Sequence, residues 1–228
     1  MFARHKIVWI TSDGWSELRT RADEADRAAL EQWSEADWPV IVRRRDEDAA
    51  EDQVCVGLPL PPNPVDGTKK RIALRIARNQ VREVRAPLSV SDVLDSAPDY
   101  WRTALDAFAA ETKRLRLTIQ VYGSLAMQSL TKQRYITPHS DIDLLFQPRS
   151  VGQLGTGTGL LSYYANSLPL DGEIVFPEGR GVSWKEWIQA MHTSTQVRVL
   201  AKDAHAVSLK SPTFLLEAFD HVSSKSLG

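Results

Sequence analysis

The chain has 228 residues, of which 43% are hydrophobic and 25% charged, and its formal net charge is −1. This length is enough for one large domain or two small ones with a real core. The near-neutral charge argues against a protein that coats nucleic acid through its overall charge. Cys55 is the only cysteine, which excludes an internal disulfide and a cysteine-based zinc site.

The N-terminal segment "MFARHKIVWITSDGW" carries basic residues but only a short apolar run, residues 7–10. A run of this length is too short for the core of a signal peptide or for a membrane span. We therefore expect a cytoplasmic protein without a membrane partner, and the charge balance predicts no nucleic-acid partner.

The first elements are short. Residues 7–10 ("IVWI") and 39–43 ("PVIVR") are predicted strands, and the charged, alanine-rich stretch 16–38 between them is typical of a surface helix. The charge block 43–53 predicts a solvated loop. The proline-rich stretch 54–70 can form a strand only at its beginning and then continues as an extended loop or turn.

The segment "RIALRIARNQVREVR", residues 71–85, is ambiguous. Ile72, Leu74 and Ile76 alternate as in a strand. The arginines instead recur at spacings of four and three, which would align them on one helix face: Arg71, Arg75, Arg78, Arg82 and Arg85. We favour a strand over 71–77, because this stretch follows a proline/glycine turn and its apolar residues are mostly β-formers.

Helices and strands alternate in the middle of the chain. A serine–aspartate capping signal predicts a helical junction at 86–95. Apolar residues at helical spacing predict a helix over 100–117. A strand at 118–122, a Gly-Ser turn, a short helix at 125–130 and a strand at 142–146 are expected to follow.

The glycine-rich segment 151–168, "VGQLGTGTGLLSYYANSL", invites comparison with a dinucleotide-binding fingerprint. Its glycine spacing is wrong for that motif, and Pro148 ends the preceding strand, so we predict a loose turn that leads into a helix. A third strand at 170–176 and a helix that buries Trp184 and Trp187 are expected next.

The stretch "SDIDLLF" contains the most informative pattern of the sequence. Strand alternation places Asp141 and Asp143 on one face. Two crowded carboxylates favour a cation between them, and hard oxygen ligands at this spacing suit Mg²⁺. A third carboxylate would complete a two-metal site for displacement at phosphorus, and Asp171 and Glu173 are both candidates. We favour Glu173, because it adjoins the firmer part of its strand.

Gly123 and Ser124 precede these acids. Gly123 would let the backbone approach a phosphate closely, and Ser124 could bind the phosphate while opening a helix, whose N-terminus favours anions. The predicted order is thus an apolar strand, Gly-Ser, a helix, an acid-x-acid strand and a strand with another acid. This order resembles the polymerase-β-like nucleotidyltransferase fold, although seventeen positions separate Ser124 from Asp141, which is longer than most members show.

A closer resemblance covers most of the chain, from Trp38 to Trp187. The blocks "WPVIVRR", "VGLPLPP", "RIALRIA", "VYGSLAMQSLT", "SDIDLL", "LDGEIVF" and "GVSWKEW" occur in the order typical of malonate decarboxylase holo-acyl-carrier-protein synthases, a family of phosphoribosyl-dephospho-CoA transferases. The extra loop 131–139 lies between two of these blocks.

The resemblance implies a reaction and a site. The phosphoribosyl-dephospho-CoA group would pass from triphosphoribosyl-dephospho-CoA to a serine of the acyl carrier protein of malonate decarboxylase, and diphosphate would leave. Two Mg²⁺ ions would be held by Asp141, Asp143 and Glu173, while Gly123 and Ser124 would contact phosphate. Either aspartate could accept the proton of the incoming serine.

Basic residues near these elements are further candidates for binding the substrate or the carrier. The segment 69–85 contains seven basic residues and one acid, and in it we favour Arg75 and Arg78 over the alternative of a solvated strand face. Lys132 and Arg134 precede the acids and are equally consistent with simple exposure. Lys202, after the apolar "VRVLA", could reach the site from a last strand, although a lysine at a strand end needs no function.

The predicted architecture is an α/β (α+β) protein in two parts. A small N-terminal α/β domain, residues 1–90, would supply basic surface, and a nucleotidyltransferase domain with a mixed sheet flanked by helices, residues 91–228, would hold the metals. Two alternatives remain open: a nucleotidyltransferase with a different acceptor, and a non-catalytic nucleotide-binding module of the same fold. Failure to bind Mg²⁺-triphosphate would favour the second.

Overall fold

The computed structural model describes residues 2–193 and 197–225, with side chains up to residue 220. In chain order its elements are β1 Ile7–Ile10, α1 Ser12–Arg21, α2 Glu24–Glu35, β2 Val40–Val42, β3 Gln53–Pro59, β4 Arg71–Ala77, β5 Val81–Arg85, β6 Leu88–Ser89, α3 Asp99–Arg114, β7 Ile119–Tyr122, α4 Gly123–Thr131, β8 Ile142–Phe146, α5 Val151–Tyr164, β9 Leu170–Val175, β10 Gly181–Ser183, α6 Trp184–His192, β11 Val199–Lys202, β12 Val207–Lys210 and α7 Pro212–Lys225. Short 3-10 turns cover Arg78–Gln80 and Ser91–Ser96. None of the helices in the described part of the chain combines the length and the apolar composition that a membrane crossing needs.

Contacts between the described residues divide the chain into two units. The first contains the chain up to Pro87 together with Met127–Thr137, and the second contains Leu88–Ala126 and the residues from Pro138 onward. Each unit has its own sheet with helices, so the predicted α/β (α+β) class is confirmed. The segment 127–137 belongs by its contacts to the first unit, whereas the sequence prediction had grouped it with residues 91–228.

The described strands of the first unit form a five-stranded antiparallel sheet in the order β4-β3-β2-β1-β5. The strand prediction for 71–77 is confirmed, since alternation along β4 buries Ile72, Leu74 and Ile76. Helices α1 and α2 contribute Trp15 and Trp33 to the same core.

The single surface helix expected over 16–38 was wrong. The chain forms α1 and α2 there, because Ala22 and Asp23 both adopt extended backbone and interrupt the helical hydrogen bonds. The first helix also begins earlier than expected, at Ser12, where the Thr11 hydroxyl accepts a hydrogen bond from the Gly14 N–H at 3.2 Å.

The second unit contains a seven-stranded sheet among its described residues, in the order β12-β11-β10-β9-β8-β7-β6. Strands β8 and β9 are parallel, and the other neighbouring pairs are antiparallel. A parallel pair needs a long crossover connection, which α5 provides. The predicted strands at 118–122 and 142–146 and the predicted helix over 100–117 are confirmed as β7, β8 and α3, although α3 already ends at Arg114.

The loose turn expected at the start of 151–168 was wrong, because the glycine-rich segment is helical from Val151 onward. Ser150 caps this helix by accepting a hydrogen bond from the Gln153 N–H at 3.1 Å. Gly157 lies against the ring of Phe146 in β8, and a Cβ atom at this position would overlap that ring. Packing against the sheet therefore outweighs the low helix propensity of glycine.

Two substitutions in α5 are expected to change stability in opposite directions. Gly155 is exposed and has open space around its Cα, so Gly155→Ala should raise the free energy of unfolding by about 0.5–1 kcal/mol. Gly157→Ala should lower it by about 1–3 kcal/mol, because the added methyl group pushes α5 away from Phe146. Urea unfolding of both variants measures the difference, and a stabilised Gly157→Ala protein would contradict the packing described here.

Candidate active site

Polar side chains gather on one face of the seven-stranded sheet, around strand β8, which lies next to the central strand β9. Asp141 directly precedes β8, and Asp143 is its second residue. In register, Asp143 lies opposite Tyr122 of β7 on one side and opposite Asp171 of β9 on the other. Residues opposite one another in a sheet point to the same face, so Asp143 and Asp171 are direct neighbours.

Register separates the two candidates for the third carboxylate. Neighbouring strands lie about 4.8 Å apart and each residue advances a strand by about 3.3 Å, so the Cα of Asp171 lies about 5 Å from that of Asp143 and about 8 Å from that of Asp141. Glu173 lies opposite Leu145, and its Cα is about 8 Å from Asp143 and about 14 Å from Asp141 by the same reckoning. A cation that touches both Asp141 and Asp143 is thus within reach of Asp171 and beyond that of Glu173.

Gly123 accommodates the carboxylate of Asp143. It begins α4 with a φ of 68°, in the left-handed region, and a Cβ atom there would overlap the Oδ2 atom of Asp143. The structure therefore gives a direct reason for glycine at this position that the sequence analysis missed. Ser124 follows in the first turn of α4 and is half-buried. Phosphate contact by Gly123 and Ser124 stays a prediction.

Substitution of Gly123 tests this close approach. Gly123→Ala should lower the rate of the transfer predicted from the sequence by about 10²-fold, because the methyl group displaces the Asp143 carboxylate by about an ångström. Gly179→Ala is the matched control, since Gly179 also has a positive φ but open space around it. Steady-state rates of both variants, with their unfolding midpoints, distinguish a displaced carboxylate from general strain. Equal rates for the two variants would contradict the contact.

Each acid of β9 is paired with a lysine. The Asp171 Oδ1 atom lies 3.4 Å from the Lys185 Nζ atom, and Lys185 stands in the first turn of α6. Lys202, at the end of β11, donates a hydrogen bond to the Glu173 Oε1 atom at 3.2 Å. Sequence reasoning noted Lys202 but missed Lys185, because nothing in "GVSWKEW" shows that α6 starts beside the first residues of β9.

The donor set around Asp143 fits Mg²⁺ in chemistry. Asp141, Asp143 and Asp171 supply carboxylate oxygens, the ligands that Mg²⁺ prefers, and the missing side chain at Gly123 leaves room for the Asp143 carboxylate. Within residues 2–193 and 197–225, no three His, Cys, Asp or Glu side chains already converge as a metal site. Asp171 would have to exchange its contact with Lys185 for the ion.

The arginine of β4 is held by acids of its own unit. The Arg75 guanidinium donates to Asp46 at 2.8 Å and to Asp48 at 2.6 and 2.9 Å. Asp46 also accepts from Arg43, and these hydrogen bonds, chiefly that from Arg43, hold the pKa of Asp46 well below its usual value. An anion at Arg75 would therefore compete with two carboxylates.

Much of the remaining basic excess in 69–85 is similarly compensated. The pairs are Lys70 with Asp26, Arg82 with Asp37, and Arg85 with Glu83, and Arg85 also stacks over Trp9 at 4.6 Å. Arg78 is exposed in its 3-10 turn.

The predicted basic and acidic site residues lie in different units. Lys132 and Arg134 are exposed and belong to the segment 127–137, which the first unit contains. Tyr135 anchors this segment by donating from its hydroxyl to the Pro59 carbonyl at 2.7 Å, and burial raises the pKa of Tyr135. Arg75 and Arg78 are in the same unit, whereas the acids, Gly123 and Ser124 are in the second. Substrate binding by the four basic residues stays a prediction.

Comparison with known proteins identifies the family. The models for the N-terminal and C-terminal domains of phosphoribosyl-dephospho-CoA transferase MdcG match residues 3–87 and 87–213. No solved structure matches the chain significantly.

Curated relatives agree with these matches. The chain is 37% identical to the phosphoribosyl-dephospho-CoA transferase of Bradyrhizobium diazoefficiens over 186 residues, which cover 80% of each chain. It is similar to proteins of the same name from Xanthomonas campestris pv. campestris, with 32% identity over 189 residues, and Xanthomonas euvesicatoria pv. vesicatoria, with 33% identity over 190 residues; both alignments cover 82% of this chain and 86% of the relative. The resemblance of the sequence blocks is thereby confirmed, and the chain belongs to the phosphoribosyl-dephospho-CoA transferase family.

Proposed function

We propose that the protein transfers the phosphoribosyl-dephospho-CoA group from triphosphoribosyl-dephospho-CoA to a serine of the acyl carrier protein subunit of malonate decarboxylase. The observation that carries this proposal is the match of both family domains, in order, along residues 3–213. The cluster of carboxylates on β8 and β9 supports it, because transfer at phosphorus from a triphosphate needs a site for cations.

The reaction joins the serine to the first phosphorus of the triphosphate. A bond forms between the serine Oγ atom and this phosphorus, and the bond from phosphorus to the bridging oxygen of the diphosphate breaks. The electron pair of that bond leaves with the diphosphate, and the serine proton passes to Asp141 or Asp143. The product on the carrier is a phosphodiester.

Asp141, Asp143 and Asp171 would hold the Mg²⁺ ions. When bound, these ions neutralise the charge of the triphosphate, which the carboxylates alone would repel. We propose Asp171, the alternative that the sequence analysis kept open, as the third ligand in place of Glu173, because only Asp171 lies in register with Asp143. Gly123 leaves room for the Asp143 carboxylate and so determines the position at which this carboxylate would bind a cation or accept the proton. A place in the polymerase-β-like superfamily is part of the same proposal.

The test is the intact mass of the apo acyl carrier protein after incubation with this protein, Mg²⁺ and triphosphoribosyl-dephospho-CoA. A mass gain equal to the phosphoribosyl-dephospho-CoA group is expected, and EDTA should prevent it. A carrier whose acceptor serine is replaced by alanine is the control and should gain nothing. If the wild-type carrier also gains no mass while the protein binds Mg²⁺-triphosphate, the acceptor is wrong and a different nucleotidyl transfer has to be sought.

A further inference from the structure

The carboxylate of Glu173, in β9, contacts residues of the next two strands of the sheet, β10 and β11. Its side chain is only 7% exposed, and its Oε1 atom accepts the hydrogen bond from Lys202 at 3.2 Å. Gly181 of β10 lies directly beneath it, since a Cβ atom there would overlap the Oε2 atom. A buried carboxylate is costly unless it is paired, so this arrangement stabilises one position of the Lys202 ammonium.

The ammonium of Lys202 faces the side of the sheet that carries the acids. Gly181 pairs in register both with Val175 of β9 and with Lys202 of β11, so Lys202 shares a face with Glu173 and Asp171. Its side chain is 39% exposed. An ammonium has three N–H donors and the bond to Glu173 uses one of them, which allows Lys202 to bind an anion as well.

Register places Lys202 farther along this face of the sheet than the metal ligands. Glu173 lies two residues beyond Asp171, about 7 Å along the strand, and Lys202 is level with Val175, about 13 Å beyond Asp171, from where its side chain reaches back to Glu173. This face therefore carries the carboxylates of Asp141, Asp143 and Asp171, which can hold cations. The ammonium of Lys202, held by Glu173, lies farther along the same face. Outer phosphates that extend from the carboxylates along this face would meet the ammonium of Lys202.

We propose that Lys202 binds the leaving diphosphate and that Glu173 is the positioning residue that holds Lys202 in place. This inference rests on the proposed function, since it names the part of that substrate which Lys202 contacts. Negative charge grows on the diphosphate as its bond to the first phosphorus breaks, and an ammonium held at that position stabilises the growing charge. Glu173 acts through Lys202 and does not bind Mg²⁺.

Calorimetric titration with inorganic diphosphate, in the presence of Mg²⁺, tests the contact without requiring turnover. Lys202→Met should weaken diphosphate binding by about 10-fold, the loss expected for one charge-assisted contact. Lys202→Arg should retain most of the affinity, because the charge is kept. Lys113→Met, at an exposed lysine of α3, is the matched control and should bind as wild type does. Titration with dephospho-CoA, which carries the internal diphosphate bridge of the substrate but lacks the triphosphoribosyl group and its leaving diphosphate, should not distinguish the Lys202 variants from wild type.

A second titration, with Mg²⁺ alone, separates Glu173 from the metal ligands. Glu173→Gln should bind Mg²⁺ within about 2-fold of wild type and lose part of the diphosphate affinity, whereas Asp171→Asn should lose Mg²⁺ affinity by about 10-fold or more. Lys202→Met leaves the buried Glu173 carboxylate without this cation, which can destabilise the fold. The double variant Glu173→Gln/Lys202→Met removes both charges and provides a second protein that lacks the ammonium.

Three results would overturn the inference. They are diphosphate binding by Lys202→Met as tight as that of wild type, no diphosphate binding by the wild-type protein, and loss of Mg²⁺ affinity in Glu173→Gln as large as in Asp171→Asn. The proposed function is judged separately by the mass of the carrier protein. If the wild-type protein modifies the carrier but the Lys202 variants bind diphosphate normally, only the role of Lys202 is refuted and the proposed function stands.

Discussion

Replacement of Asp143 by asparagine is expected to lower the rate of transfer by at least about 10³-fold, or about 4 kcal/mol of transition-state stabilisation. Asp143 lies between the other two carboxylates of the site, Asp141 and Asp171. Asparagine keeps the size of the aspartate side chain and removes its charge. The rate of mass gain of the carrier protein measures the loss. Because the change also relieves repulsion among neighbouring carboxylates, the unfolding midpoint should not fall by more than a few degrees.

The control for Asp143→Asn is the same chemical change at Asp106, an exposed residue of α3 in the same unit. Asp106→Asn should transfer at the wild-type rate. A folded Asp143→Asn protein with the wild-type rate would show that the acids on β8 do not carry the reaction. The non-catalytic nucleotide-binding module would then be the better hypothesis.

Gly172→Ala is expected to have the largest effect on stability, a loss of about 3–5 kcal/mol. Gly172 lies in β9 between Asp171 and Glu173 with a φ of 126°, and a Cβ atom there would overlap the backbone of Leu144 in β8. Backbone strain and the clash add, and neither can be relieved by rotating a side chain. Denaturant unfolding measures the loss.

Gly179→Ala again separates the two contributions, since its positive φ is not accompanied by a clash. It should cost only about 1 kcal/mol. If Gly172→Ala lost no more than Gly179→Ala, the parallel pairing of β8 with β9 would have to be different from the register described here.

The strands that carry the site could be predicted because their patterns are local. In β8, buried Ile142 and Leu144 alternate with Asp143, and this pattern alone places the aspartates of "SDIDLLF" on one face. The ambiguous segment 71–77 was also predicted correctly, since its alternating apolar residues outweigh the helical spacing of its arginines.

Long-range features could not be predicted in the same way. The register between β8 and β9 pairs residues that are 28 positions apart in the chain, such as Asp143 and Asp171, and this register distinguishes Asp171 from Glu173. The helix itself was missed at its start, because its glycines are unfavourable in isolation and the one packing reason, the contact of Gly157 with Phe146, joins separate elements. The pairing of Lys185 with Asp171 likewise joins residues whose proximity follows from sheet order.

The division of helix α4 between the two units has a consequence for the autonomy of the N-terminal part. Met127 and Tyr135 are buried in the core of the first unit, although they follow its first 87 residues by some forty positions of chain. A fragment that ends where the N-terminal family model ends would lack both side chains and would leave the Pro59 carbonyl without its tyrosine donor. The boundary drawn by sequence similarity is therefore not a boundary of independent folding, and the first unit becomes complete only after the chain has passed through Gly123 and Ser124.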